Sequence, residues 1–362
     1  MMTRIKHLYI HVPFCKSICS YCDFCHRVYN KDLSDKWLKR IIKEFKECND
    51  EQYETIYIGG GTPTSLTDQQ LEKLFKLIKT HTNKVKEYSI EVNPESLTFN
   101  KIKLFNKYGI NRVSMGLQSS NDRLLKLMNR HHSFGDVSKA CKLLKDNGID
   151  NISLDIMYSI PTQTMNDLIK TIDDALSLKV PHLSLYSLTI EENTVFGKKG
   201  YTPLDEEIEA DMYEYIIDTL KKNKYEYYEI ANFARKGYES KHNLGYWRYE
   251  DFRGLGCGSS SKIGSIRYDK TKDINKYINS KDIIETTYKL SKDDKMFENI
   301  MMSLRTLEGL DIYKFNKKYN VDILDNYKEA INKNKRNIII KEGRLIVKNR
   351  MILNSILIDF LK

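Results

Sequence analysis

The sequence predicts an α/β chain: a partial, open barrel of about six βα units, followed by a small C-terminal helical domain of winged-helix type. Two observations carry this expectation. Between residues 8 and 190, short β-branched runs alternate with amphipathic stretches, the pattern of parallel strands joined by crossover helices. From about residue 290 the alternation gives way to short helices and one apolar hairpin. At 362 residues the chain is longer than one small core requires, and the division expected is 1–270 and 271–362.

The strands fall at 8–12, 55–58, 88–92, 112–117, 151–156 and 182–188. Six units close less of a circle than eight, so the barrel should stay open. After the first strand, Ser34 is placed to cap a helix whose Trp37, Leu38, Ile41, Ile42 and Phe45 share one face. Thr67 and Gln70 have the spacing of a capping box ahead of Leu71, Leu74, Phe75 and Ile78. Residues 204–223 read as a helix. The stretch 225–268 is rich in aromatic residues and carries Gly254, Gly256 and Gly258. Within 337–348, Glu342-Gly343 is a hairpin signal, and 351–361 reads as a closing apolar helix.

Hydrophobic residues make up 41% of the chain, ample for a core. No run approaches the ~20 apolar residues that span a bilayer. Residues 1–7 carry charges where a secretory signal needs an uninterrupted apolar segment, so the expected location is the cytoplasm. The net charge of +10 is spread over lysines such as Lys36, Lys39, Lys43 and Lys46 along a helix. Scattered charge of this kind argues for a solvated face rather than a nucleic-acid interface, and the winged-helix-like end is expected to pack, not to bind DNA.

Seven cysteines, four of them within residues 15–25, suit metal ligation better than a disulfide framework. Cys15, Cys19 and Cys22 follow the first strand as CxxxCxxC. Three thiolates on a four-iron cluster leave one iron open, as a cluster that binds a substrate requires. Cys25 extends the pattern to CxxxCxxCxxC, which keeps a fourth ligand or a zinc site open as alternatives. Cys48, Cys141 and Cys257 read as packed thiols. Other unusual polar and glycine residues sit where barrel strands end: Gly59-Gly60-Gly61-Thr62-Pro63, Glu91, Asn93-Pro94, Gln118, Asp155, Ser187 and Thr189. Each alone has a plainer reading, a turn for the glycines or a helix cap for the acids. Together they mark the rim of one cavity, with Glu91 placed to pair with a cationic ligand group.

These residues also resemble a known family. YIHVPFC at 9–15, GGGTP at 59–63, GLQS at 116–119, LDIMYSIP at 154–161 and LSLYSLTIEE at 183–192 are similar in order and spacing to the radical S-adenosylmethionine (SAM) proteins of the oxygen-independent coproporphyrinogen III oxidase superfamily. The resemblance implies a 4Fe-4S cluster on Cys15, Cys19 and Cys22; Cys25 reads as a non-ligand near it. It implies SAM contacts at Tyr9, Gly60, Gly61 and Glu91. In the oxidase a second SAM is contacted at positions matching Tyr21, Thr62, Gln118, Arg130, Asp155 and Thr189. Without the resemblance, Arg130 would read as a solvated arginine at a helix end.

Two branches of that superfamily differ here. The oxidase carries a longer segment before the cluster than the fourteen residues preceding Cys15, and reads Cys-Gly-Cys where this chain has Cys22-Asp23-Phe24. The motif HNxxYW, present at 242–247, resembles that of the haem chaperone branch, HemW. Membership there implies haem as cargo, His242 as a haem contact, a haem-accepting protein and an electron donor as partners, and compatibility with a homodimer or with peripheral contact to a membrane-bound acceptor. The alternative activity is oxidative decarboxylation of coproporphyrinogen III propionates to vinyl groups. Relatives often read GAHG or GAHS where Gly258-Ser259-Ser260-Ser261 stands, so a histidine is missing at 260.

Overall fold

The computed structural model describes residues 5–48 and 51–361; of the segment 1–7 weighed above, residues 1–4 lie outside them. Six parallel strands, β1 (His7–Val12), β2 (Thr55–Gly60), β3 (Glu87–Val92), β4 (Arg112–Gln118), β5 (Ile152–Tyr158) and β6 (His182–Ser187), lie side by side in chain order. Alternate residues such as Ile56 and Ile58 of β2, Ile90 of β3 and Val113 and Met115 of β4 are fully buried against the connecting helices. That burial explains why the strands read as apolar, β-branched runs. The intervening residues face the barrel interior and are mostly polar or small.

The connecting helices form as their patterns require. Lys31–Lys46 buries Trp37, Leu38, Ile41 and Phe45. It starts one turn earlier than expected: Asn30 is the cap, its side chain accepting from the Leu33 amide. Ser34 lies inside the helix and donates its hydroxyl to the Lys31 carbonyl at 2.9 Å. Both residues have capping chemistry, and extended backbone at Asn30 decides between them. In the helix Asp68–Lys79, Thr67 and Gln70 form the reciprocal capping box.

The sheet is wider than six strands. Phe252–Leu255 runs parallel to β1, followed outward by the antiparallel strands Ser260–Ile263, Ile266–Lys270 and Ile284–Lys289; Asn232–Ala234 and Glu226–Tyr227 extend the other edge beyond β6. This makes an open sheet of twelve strands among the described residues. Residues 284–289, grouped by sequence with the C-terminal unit, therefore belong to the large sheet. A separate apolar cluster begins at Met296 and includes Ile300, Phe315, Leu345 and Phe360. It encloses a three-stranded sheet of Leu310–Asp311, Ile338–Lys341 and Arg344–Val347. Glu342 (φ 51°) and Gly343 (φ 72°) make the tight turn of its hairpin. The closing helix is Leu353–Ile358, preceded by the short turn Arg350–Ile352. No helix among the described residues is long and apolar enough to cross a membrane.

One buried ion pair ties the extension to the barrel. Lys270, at the end of its strand, reaches Glu44 in the first helix and also donates to the Gly254 carbonyl at 2.8 Å. Glu44 is 2% exposed, so removing its partner leaves a carboxylate out of reach of water. Lys270→Met should lower the unfolding free energy in urea by about 3 kcal/mol, and the double variant Glu44→Leu/Lys270→Met should recover most of that loss.

Candidate functional site at the open end of the barrel

The C-terminal ends of β1–β6 open onto a cavity of about 450 Å³. Cys15, Cys19 and Cys22 border it, as do Tyr21, Gly60, Gly61, Thr62, Glu91, Gln118, Arg130, Asp155 and Thr189. Of the expected SAM and haem contacts, Tyr9 and His242 do not. Tyr9 lies one layer down inside the barrel, its ring stacked on Tyr57 at 6.1 Å and its hydroxyl 3.0 Å from His11 Nδ1. His242 is at the opposite end.

The cysteine loop is held at both ends. Phe14–Cys15 pairs in parallel with Arg27–Val28; the Arg27 amide donates to Pro13 O at 2.7 Å and the Tyr29 amide to Cys15 O at 2.8 Å. The glycine run of β2 lies directly against it. A Cβ on Gly61 would stand 2.9 Å from Cys15 Sγ and 2.8 Å from Phe14 O. Gly60 adopts φ +120°, where a side chain would be strained, and would also meet the Val12 backbone at 2.9 Å. Missing side chains thus let two backbones meet under the sulfurs.

Donors reach the sulfurs as well. Thr62 Oγ1 is 3.7 Å from Cys15 Sγ, and Arg130 Nη1 is 3.6 Å from Cys19 Sγ. Arg130 is buried and fixed by Asn93 Oδ1 at 3.0 Å and Gly116 O at 3.1 Å, so it is not the solvated helix-end arginine its position alone suggests. Burial pushes the Cys15 thiol up to about 11 and the Cys22 thiol to about 12. Metal binding must therefore displace protons from both. Cys25 is absent from the cavity wall; its sulfur faces Cys257.

Two carboxylates face the cavity. Tyr57 OH donates to Glu91 Oε1 at 2.9 Å and the Gly60 amide to Glu91 Oε2 at 3.1 Å. Ser114 Oγ lies 3.1 and 3.2 Å from the two Asp155 oxygens. Desolvation raises Glu91 to about 7, with the Asp155 charge adding, and raises Asp155 to about 6. A cationic ligand group would relieve both. Tyr57 and Ser114 were not singled out by sequence, although each lies two residues from a chosen glycine, Gly59 and Gly116, on the same face of its strand. That alternation was the signal.

His242 is 1% exposed. Its Nδ1 is 2.7 Å from Thr55 Oγ1 and its Nε2 2.7 Å from Tyr246 OH, while its amide donates to Glu87 at 3.0 Å. Thr55 and Glu87 begin β2 and β3, so the HNxxYW helix (Lys241–Trp247) packs across the floor of the barrel. The same Thr55 hydroxyl is 2.8 Å from His7 Nδ1, and His7 Nε2 is 2.8 Å from Glu250. The haem contact expected at His242 has no free nitrogen and no opening to enter by. At position 260 the Ser260 hydroxyl bonds Asp269.

Comparison with known proteins decides the family. The chain is 38% identical over 341 residues to the heme chaperone HemW of Lactococcus lactis, covering 91% of this chain and 89% of that protein. It belongs to the HemW family. The Bacillus subtilis HemW is 36% identical with 87% of each chain covered, and that of Escherichia coli 32% identical with 85% and 84% covered. Residues 9–175 of this chain match the Radical SAM superfamily and 290–345 the HemN C-terminal domain. The solved structure of coproporphyrinogen III oxidase HemN from E. coli has the same fold, with a TM-score of 0.85 at 20% identity, covering 99% of this chain and 90% of that one.

The superfamily is one of SAM-binding 4Fe-4S proteins, and the residues here suit such a group. Three thiols border one cavity with hydrogen-bond donors on two of the sulfurs.

A raised carboxylate destabilises the fold as pH climbs. The unfolded Glu91 ionises near 4.5 and the folded one near 7, so its cost grows between those values and is constant above them. Glu91→Gln in metal-free, ligand-free protein should raise Tm at about pH 8 and leave it nearly unchanged at about pH 5.

Proposed function

We propose that the protein binds haem and delivers it to haem-requiring acceptor proteins, with SAM on a 4Fe-4S cluster at Cys15, Cys19 and Cys22 governing uptake and release. The observation that carries this reading is the 38% identity to a heme chaperone HemW over nearly the full length of both chains. The geometry is consistent with it. Cys15, Cys19 and Cys22 would hold the cluster, which would supply a single electron to SAM. The chain's own residues do the rest.

Glu91, held by Tyr57 and the Gly60 amide, receives the cationic part of SAM. The bare backbone at Gly60 and Gly61 accepts its close approach, and Tyr9 supports that wall from below through Tyr57. Arg130 donates to the Cys19 sulfur at 3.6 Å and holds it at the cavity edge. Tyr21, Thr62, Gln118, Asp155 and Thr189 line the remaining volume, where a second SAM or the edge of a substrate would sit. An external single-electron donor and a haem acceptor complete the set of partners.

Haem contact belongs at the cavity mouth rather than at His242. Phe24, 67% exposed at the cavity edge, offers a flat apolar face to a macrocycle. Haem titrated into cluster-loaded protein should give a shifted Soret band. His242→Gln should leave that spectrum intact. Phe24→Ala should weaken haem binding about tenfold, the equivalent of ~1.4 kcal/mol.

A second reading, decarboxylation of coproporphyrinogen III, is favoured by the retention of Tyr21, Thr62, Gln118, Arg130, Asp155 and Thr189 around one cavity. In that reading each propionate would lose a hydrogen atom, then carbon dioxide and one electron, the electron passing to an external one-electron acceptor as the vinyl group forms. An anaerobic assay with SAM, reductant and coproporphyrinogen III separates the two: no accumulation of protoporphyrinogen over many turnovers is expected, and its formation would replace the chaperone reading.

A further inference from the structure

Two thiols behind the cavity wall stand together. Cys25, three residues past the last cysteine of the cluster loop, and Cys257, in the glycine turn after the strand Phe252–Leu255, are separated by 232 positions in sequence. Their sulfurs are 3.7 Å apart. Both residues are buried, with Cys257 Sγ 3.1 Å from Thr271 O and Cys25 Sγ 3.4 Å from Lys272 O.

The backbone around the pair is shaped to bring them together. Gly258 has φ +75°, and a Cβ there would stand 2.6 Å from Cys25 Cβ and 3.0 Å from its sulfur. His11 Nε2 is 2.7 Å from Cys25 O, fixing the end of the loop. The contact with Cys257 lowers the Cys25 thiol to about 5 against the opposing effect of burial, with His11 and Arg27 adding to it, and the same contact pushes Cys257 up. Both the Cys257 contact and His11 favour the Cys25 thiolate, which makes Cys25 the nucleophile of the pair.

We propose that Cys25 and Cys257 form a reversible redox pair, a disulfide site that joins the cluster loop to the glycine turn when the protein meets a low-molecular-weight disulfide. The Cys25 thiolate attacks one sulfur of that reagent, forming a mixed disulfide and expelling a thiolate. The Cys257 sulfur then attacks Cys25 Sγ and releases the second half of the reagent, while the Cys257 proton leaves on one of the two released sulfurs. Two electrons pass from the protein sulfurs to the reagent, which is reduced to one thiol and one thiolate. The sulfurs need approach by only roughly 1.7 Å to reach bonding distance, and no cluster ligand is consumed.

The test uses cluster-loaded, full-length protein kept anaerobic and equilibrated with glutathione mixtures from strongly reducing to strongly oxidising, then acid-quenched, alkylated and mapped by mass spectrometry. The expected result is a peptide joining Cys25 to Cys257 at the oxidising end, both thiols alkylated at the reducing end, iron content constant throughout, and a Tm several degrees higher for the oxidised form. Cys25→Ser and Cys257→Ser should each abolish the cross-link and retain iron, while Cys141→Ser keeps both. The proposal is overturned if both thiols stay free in every mixture, if Cys25 instead pairs with Cys15, Cys19 or Cys22, or if Cys25→Ser loses as much iron as Cys22→Ser.

Discussion

The backbone of β2 meets the cysteine loop with no side chain between them. The Gly61 amide donates to Val12 O at 2.9 Å and the Thr62 amide to Phe14 O at 2.7 Å, contacts that a single methyl group on Gly61 would push apart. Because β1 and β2 pair in register through Val12 and Gly60, those bonds set the height at which the loop leaves the barrel. The same glycine run lets Glu91 reach the Gly60 amide from the neighbouring strand. Sulfurs, acid and backbone donors are therefore positioned by one close approach and not by separate devices.

The barrel itself was largely legible in the sequence. Strands buried against helices on one face leave long β-branched runs, and helices laid on a sheet show apolar residues at helical spacing, as Trp37, Leu38, Ile41 and Phe45 do. Polar residues at the strand ends were legible for the same reason: they interrupt an apolar pattern where nothing in packing asks for polarity. What could not be read was local competition and long-range pairing. Asn30 and Ser34 offer the same capping atoms, and only the backbone selects one. Strand Ile284–Lys289 carries mostly exposed residues, so no apolar pattern announced that it extends the large sheet.

Long-range contacts also explain the misplaced histidine. An imidazole followed by tyrosine and tryptophan has the composition of a haem pocket, yet the same groups satisfy one another when packed under a sheet. His242 bonds Tyr246 within its own helix and Thr55 from a strand 187 positions away, a partner that no local pattern reveals. The plain reading of Arg130 as a solvated arginine, set aside only through the resemblance, fails by the opposite route, since its anchors, Asn93 and Gly116, turn a surface residue type into a buried one. Cys25 shows the same effect: its neighbour in space is remote in the chain.

The floor made by Tyr57, Thr55, His7 and His242 has a consequence for traffic. With its lower mouth plugged by interlocked rings and hydroxyls, the barrel works as a cul-de-sac. Whatever goes in must come out by the same doorway.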